Sequence, residues 1–364
     1  MFDTRILRQF DWILLTCMLS IITLGIMMIY SATYQGAHAD LYMRQIQYFI
    51  AGMVLFIIIL QVDYHFLTDG AAVFYIISIL MLIAVLFVGK RISGAKSWFT
   101  LGYFNFQPSE IAKIASILFL ARYLSMESRS TNLTLKDLGM AALIMGVPML
   151  LIILQPDMGT TLTFLPPLIF LLFFAGMRFK WMLLAVISGL ATMPFAWYLL
   201  KPYQKNRIIT FIDPSNDPLG AGYQIIQSKI AIGSGMIWGK GLLSKETQAY
   251  LDFIPEKQTD FVFSILAEDF GFIGVMIALG LYFLLISRLL NAASQARDRV
   301  GTYVIVGIMA VFFFHVVVNI GMVIGLMPIT GLPLPLMSYG GSSLLSTMVG
   351  LAIVMNIRMR RFVN

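Results

Sequence analysis

Residues 12–33 read Trp12-Ile13-Leu14-Leu15-Thr16-Cys17-Met18-Leu19-Ser20-Ile21-Ile22-Thr23-Leu24-Gly25-Ile26-Met27-Met28-Ile29-Tyr30-Ser31-Ala32-Thr33, with no carboxylate, guanidinium or amine side chain. A helix of that length covers the roughly 30 Å hydrocarbon core of a bilayer and satisfies its own backbone there. The run is too long for a secretory signal and lacks a small-residue cleavage site, so it is a retained span. Similar runs follow at about 46–62, 71–89, 108–125, 139–155, 159–177, 181–200, 261–287, 301–326 and 340–357. They predict an all-α polytopic membrane protein, about ten helices in one bundle spanning residues 1–364. Composition agrees: 12% of the 364 residues are charged and 59% hydrophobic, against about 25% charged in soluble chains.

Arg5 and Arg8 precede the first span and Arg358, Arg360 and Arg361 follow the last. Arg122, Arg129, Lys136, Arg178, Lys180, Arg288, Arg297 and Arg299 fall in loops on the same side. The positive-inside rule therefore predicts that both termini are cytoplasmic. The net charge of +7 is mostly this topological signal and does not point to nucleic acid. Lys90, Arg91 and Lys96 break the pattern on the outer side, where an anionic ligand would account for them. Cys17 is the only cysteine, so no intrachain disulfide forms, and no Cys/His spacing suggests zinc. There is no Walker motif, and Gly233-Ser234-Gly235 has no βαβ context. An enzyme built this way draws its energy from an already activated substrate.

Residues 201–260 form one large outer loop, polar and rich in Gly, Pro and Asp. Within it, Tyr223–Ile230 has the pattern of a short amphipathic helix lying along the interface. The loop ends at Asp260, which opens the run Phe261-Val262-Phe263-Ser264-Ile265-Leu266. A carboxylate at that threshold either caps the helix or does chemistry, and a helix N-terminus lowers its pKa whereas burial raises it. Glu268 and Asp269 lie about two turns deeper, so this helix faces protein or water rather than lipid. Glu110 and Lys113, three apart behind Pro108, share a face, as a structural ion pair or as a cation near a phosphate. Asp157 either starts the sixth helix as a cap or meets substrate. Lys205 and Arg207 either snorkel to head groups or meet an anion. Leu332–Ser343, with two prolines and two glycines, predicts non-helical backbone, as a cavity wall or a tight outer turn. His315 and Asn319 share a face of the ninth span and read as interhelical hydrogen-bond glue.

Together these motifs resemble the SEDS (shape, elongation, division, sporulation) family, and within it the RodA branch of rod-shape proteins. The matching stretches are Arg44-Gln45, Gly94–Gly102, Gln107-Pro108-Ser109-Glu110 with Lys113, Gln155–Gly159, Asp217–Gln224, Pro255–Phe261 and Pro335–Ser343. The resemblance implies a peptidoglycan glycosyltransferase polymerising lipid II into a lipid-linked glycan strand during elongation. Its implied partners are a class B penicillin-binding protein and other elongation-complex membrane proteins. It puts the family's catalytic carboxylate on Asp260 and its cavity ion pair on Glu110 and Lys113. Two positions depart from the pattern. Gln258 stands where the family usually has His, which puts a proton relay there in question, and Ser97 stands where it commonly has Arg.

Inverting transfer from a pyrophosphate needs one base for the attacking hydroxyl and cations for the departing phosphates. Asp260 supplies the base; Lys113, Arg44, Lys96, Lys205 and Arg207 are candidate cations. Glu110, Asp157, Gln258 and Ser342 complete the candidate substrate-binding set. No protein metal site is expected, although a divalent cation, Mg or Mn, bridging Asp260 and the pyrophosphate is left open. Two alternatives are a carrier moving lipid-linked precursor across the membrane and a non-catalytic scaffold for the penicillin-binding partner.

Overall fold

The computed structural model describes residues 9–34, 39–92, 95–101, 104–127, 133–178, 180, 181, 183, 184, 187, 191, 198, 202–217 and 220–361. Arg5, Arg8, Arg129, Gly94, Gly102, Pro218, Leu219 and most of the span expected at 181–200 lie outside them. Helix α1 (Trp12–Thr33) starts where Asp11 accepts the Leu14 N–H. It is followed by α2 (Leu41–Gln61), the short α3 (Tyr64–Asp69) and α4 (Ala71–Val88). A small sheet comes next, then α5 (Pro108–Glu127) and α6 (Leu135–Leu154). The single span expected at 159–177 is instead broken into α7 (Met158–Leu162) and α8 (Leu165–Phe174). The break falls where Pro166 and Pro167 leave two N–H groups missing and favour a fresh helix start.

Residues 202–260 contain α9 (Pro202–Ile212), a 3-10 turn at Pro214–Asn216, α10 (Ala221–Ser234) and an irregular stretch. Three long helices complete the chain: α11 (Val262–Ser294), α12 (Arg299–Val323) and α13 (Gly341–Met359). Helices α1, α2, α4, α6, α11, α12 and α13 are long and apolar enough to cross a membrane, and the chain is a multi-pass membrane protein. Burial singles out α12 as the central helix: 72% of its apolar window is covered, against 22% for α2 or α4. Around it pack α5, α8, α11 and α13.

Two features were not expected from the sequence. Strands β1 (Lys90–Ile92), β2 (Ala95–Leu101) and β3 (Phe104–Phe106) form an antiparallel meander, with Arg91 opposite Lys96 and Phe99 opposite Phe106. Three short strands without a clean apolar alternation leave little periodic signal in a mostly helical chain. The second is a kink in α11 at Gly271, whose φ is +64°. A Cβ at Gly271 would collide with the backbone of Gly239 and Ile237. The glycine is there because another chain segment crosses the helix at backbone contact.

The two ends of the bundle can be told apart by charge. Arg288 of α11 and Arg358 of α13 both pair with the buried Asp11 that starts α1. Asp260 lies at the other end of α11, roughly 40 Å of helix away.

Candidate active site

Asp260 sits one residue before Phe261, the N-cap of α11, and is therefore not itself the cap of that helix. The capping alternative is thereby removed. What holds Asp260 is its backbone. The Tyr339 N–H donates to the Gln258 carbonyl at 2.9 Å, and the Ser338 hydroxyl donates to the Thr259 carbonyl at 2.5 Å. The Asn319 amide donates to the Asp260 carbonyl at 3.0 Å. Three consecutive carbonyls are thus each held from outside the loop. The Asp260 N–H closes the turn by donating to the Glu256 carbonyl at 3.1 Å.

The carboxylate itself is engaged by no ion pair or hydrogen bond among the described residues. Burial pushes it up to about 6, the neighbouring Glu256 carboxylate adds to the rise, and the Arg207 guanidinium opposes it. Burial and the Glu256 charge together therefore outweigh the pull of Arg207. A carboxyl with that value is ionised at neutral pH yet remains a useful proton acceptor.

Ser338 and Tyr339 belong to a buried strap, Leu332–Gly340, which carries Leu332, Leu334, Leu336 and Met337 into the core, while Asn319 reaches in from α12. The strap is the non-helical backbone expected from the proline and glycine pattern, and protein groups satisfy it. Asn319 reaches the Leu332 carbonyl at 2.9 Å, and the Tyr282 hydroxyl donates to the Pro335 carbonyl at 2.7 Å. Gln45 binds the Ser338 carbonyl and receives the Gly340 N–H. His315 Nδ1 lies 3.2 Å from the Pro333 carbonyl. A carbonyl only accepts, so Nδ1 carries the proton and Nε2 faces Lys113 at 3.5 Å as an acceptor. The expected hydrogen-bonding role of His315 and Asn319 is what the geometry shows, directed at the strap.

Glu110 and Lys113 are buried and paired at 2.8 Å, with the Ser346 hydroxyl donating to the second Glu110 oxygen. They line a small cavity of about 50 Å³ with His315, Phe312 and Pro335. Glu110 also edges a larger, mostly apolar cavity of about 400 Å³, lined by Leu55, Phe74, Phe106, Leu345 and Val349. Ser342 lies on its wall, where it donates to the Asn105 carbonyl and accepts the Gln107 N–H.

The remaining sequence candidates are spread around these features. Arg207 is near enough to Asp260 to act on its charge. Lys205 shares α9 with it, partly buried and with a partner of its own. Gln258 contributes its carbonyl to the clamp. Arg44 is exposed and pairs with Asp40 at 2.7 Å. Lys96 donates to the Phe87 carbonyl at 2.9 Å, at the C-terminal end of α4, where a cation is favoured by the helix dipole. Asp157 caps α7 through the Thr160 N–H and also accepts from Gln107. Among the described residues no three His, Cys, Asp or Glu converge to hold a metal ion.

Sequence reasoning passed over Glu268 as an organiser of the loop. Its side chain is fully buried and accepts from Lys240 at 2.7 Å and from the Gln248 N–H at 2.8 and 2.9 Å. The signal was present in the acidic pair 268–269, but the partners are distant in sequence. The Gly-rich stretch supports the same junction: a Cβ on Gly235 or Gly239 would collide with the carbonyls of Ala267 or Asp269.

A multi-pass helical membrane protein with an unpaired carboxylate held at one mouth of the bundle is the class that this geometry defines. Residues 11–362 match the FtsW/RodA/SpoVE family of cell cycle proteins, and the chain belongs to that family. It is 41% identical to the peptidoglycan glycosyltransferase MrdB of Escherichia coli over 96% of this chain and 94% of that one. Among solved structures it is similar to a chain of a peptidoglycan synthase complex that coordinates polymerization and crosslinking. There the TM-score is 0.83 at 34% identity, covering 98% of this chain and 99% of that one. It is also similar to the rod shape determining protein RodA of Thermus thermophilus, with a TM-score of 0.74 at 32% identity and 98% of both chains covered.

Proposed function

We propose that this chain is a peptidoglycan glycosyltransferase that polymerises lipid II into glycan strands during cell elongation, with Asp260 as the general base. The observation that carries the reading is the Asp260 carboxylate, free of side-chain partners, raised by burial and fixed through three backbone hydrogen bonds. In the reaction the acceptor sugar's 4-hydroxyl gives its proton to Asp260 as its oxygen attacks the anomeric carbon of the donor. The bond from that carbon to the pyrophosphate oxygen breaks, its electron pair leaves with the lipid pyrophosphate, and the anomeric centre inverts. Arg207, beside Asp260, and Lys205 on the same helix are placed to counter the phosphate charge. The apolar cavity beside the buried Glu110–Lys113 pair suits a prenyl chain.

The protein lies in the bacterial inner membrane, with the Asp11, Arg288 and Arg358 end in the cytoplasm and Asp260 outside, where the wall is built. A class B penicillin-binding protein, which cross-links the strand, and other elongation-complex membrane proteins are its partners. The solved relative within a synthase complex supports this. Among the described residues no side chains build a metal site by themselves, and no step here runs through a metal; Asp260 would be the residue to hold a Mg or Mn ion, which would supply positive charge against the pyrophosphate.

The test uses the purified protein with its penicillin-binding partner and lipid II. The Asp260→Asn variant folds, binds the partner and makes no strand, a loss of about 10²–10⁴-fold or more. Full polymerisation by that variant removes Asp260 from the mechanism.

A further inference from the structure

Asn319 is fully buried on the central helix α12. Both hydrogens of its amide are spent on backbone: one on the Asp260 carbonyl at 3.0 Å, the other on the Leu332 carbonyl at 2.9 Å. Its own oxygen, by contrast, has no partner. A buried amide that leaves its acceptor unsatisfied bears a desolvation cost, so its geometry is set by the two donors. Those two donors join the last residue of the outer loop to the first residue of the strap. Ser338 makes a parallel connection, donating to the Thr259 carbonyl while accepting the Leu334 N–H at 2.9 Å.

We infer that Asn319 is a positioning residue for glycosyl transfer, holding the Asp260 main chain against α12 and the strap, with Ser338 as its auxiliary. The inference rests on the reading of Asp260 as the base. The need for such a residue follows from the absence of side-chain partners on the carboxylate. A carboxylate aimed by an ion pair would be fixed at its oxygens but spent as a base. One aimed through its backbone keeps both oxygens available, and the aiming must come from the carbonyls. α12 has the largest buried share of the long apolar helices among the described residues, which makes it the rigid reference from which a loop residue can be held. A Cβ at Gly331 would come within 3.8 Å of Asp260 Oδ2, so the residue that leads into the strap also flanks the carboxylate.

Asn319→Leu keeps approximate volume and removes both donors. In the complex with the penicillin-binding partner, the polymerisation rate at saturating lipid II falls about ten- to a hundredfold, as for a displacement near 1 Å of a reacting group. The KM for lipid II stays within about twofold, because nothing that binds the donor has changed. The acid limb of the pH–rate profile moves to lower pH, since a loosened Asp260 gains water and ionises more easily. A variant that merely weakened the fold would lower the active fraction and leave that limb in place. An unchanged rate and limb, or a rise in KM matching the fall in rate, overturns the inference. Should Asn319→Leu fail to fold, Ser338→Ala decides it, with a smaller fall in rate and the same direction of the limb; no change in either overturns it. The two proposals remain separable: an inactive Asp260→Asn beside a normal Asn319→Leu sinks only this one, and an active Asp260→Asn sinks the base.

Discussion

Asp260 and Glu268 are eight residues apart at one end of the same helix, and the protein treats them in opposite ways. Glu268 is held by its oxygens, which accept from Lys240 and from the Gln248 N–H, and its side chain ties the loop at 240–248 to α11. Asp260 is held by its backbone, and its oxygens are left without a protein partner. Glu268 is fully enclosed and satisfied by protein groups, whereas Asp260 is only partly buried and keeps its oxygens free of protein partners.

The contrast breaks most sharply under mutation of the anchor. Glu268→Ala strands the Gln248 N–H and releases Lys240, and it costs about 3–5 kcal/mol of stability. A lower melting temperature and faster proteolysis within 240–250 are the readouts; an unchanged melt would mean that the pair holds nothing. Asp260→Asn goes the other way. A folded-state value of about 6 against 3.8 means that the fold favours the protonated acid. That contribution is present below pH 3.8 and is lost as pH rises through 6. At neutral pH the asparagine variant therefore melts no lower than the parent, and a marked drop in melting would show an undetected stabilising partner.

The sequence reading reached these two carboxylates unequally, for a physical reason. Asp260 stood out because a charge at the start of an apolar run is rare. The spans at 12–33, 71–89 and 139–155 were legible because long uncharged apolar runs have few other uses. The broken helix at 159–177 was legible too, in Pro166-Pro167, but an apolar run overrode a local stop signal. Lys96 was visible as an outer cation, yet its partner, a carbonyl at the end of α4, could not be seen. The clamp on residues 258–260 was beyond reach for the same cause: it is made of two side chains and one backbone N–H meeting carbonyls some 60 to 80 residues away, and carbonyls carry no sequence signature.

A second buried pair, Glu110 with Lys113, extends the comparison to α5. Lys113→Ala leaves Glu110 in the core with Ser346 as its remaining donor, at a cost of about 3 kcal/mol in stability or an equivalent loss of donor affinity. The double variant Glu110→Gln with Lys113→Ala recovers most of the melting temperature if the pair is structural, and leaves donor binding weak if the ammonium meets phosphate. Unchanged melting and unchanged donor affinity in Lys113→Ala would contradict both roles.

The smallest effect is the most discriminating for Asp260. Only the ionised carboxylate accepts a proton, so the polymerisation rate falls as pH drops through about 6. Arg207 favours ionisation, and Arg207→Ala makes it harder, so the acid limb moves to higher pH. The shift stays below about one pH unit because Arg207 is exposed and its field is screened by solvent. Loss of the Asn319 clamp moves the same limb downward. Opposite displacements from two neighbours, one acting through charge and the other through position, identify the limb as that of Asp260. Parallel displacements, or none, would assign it to another group.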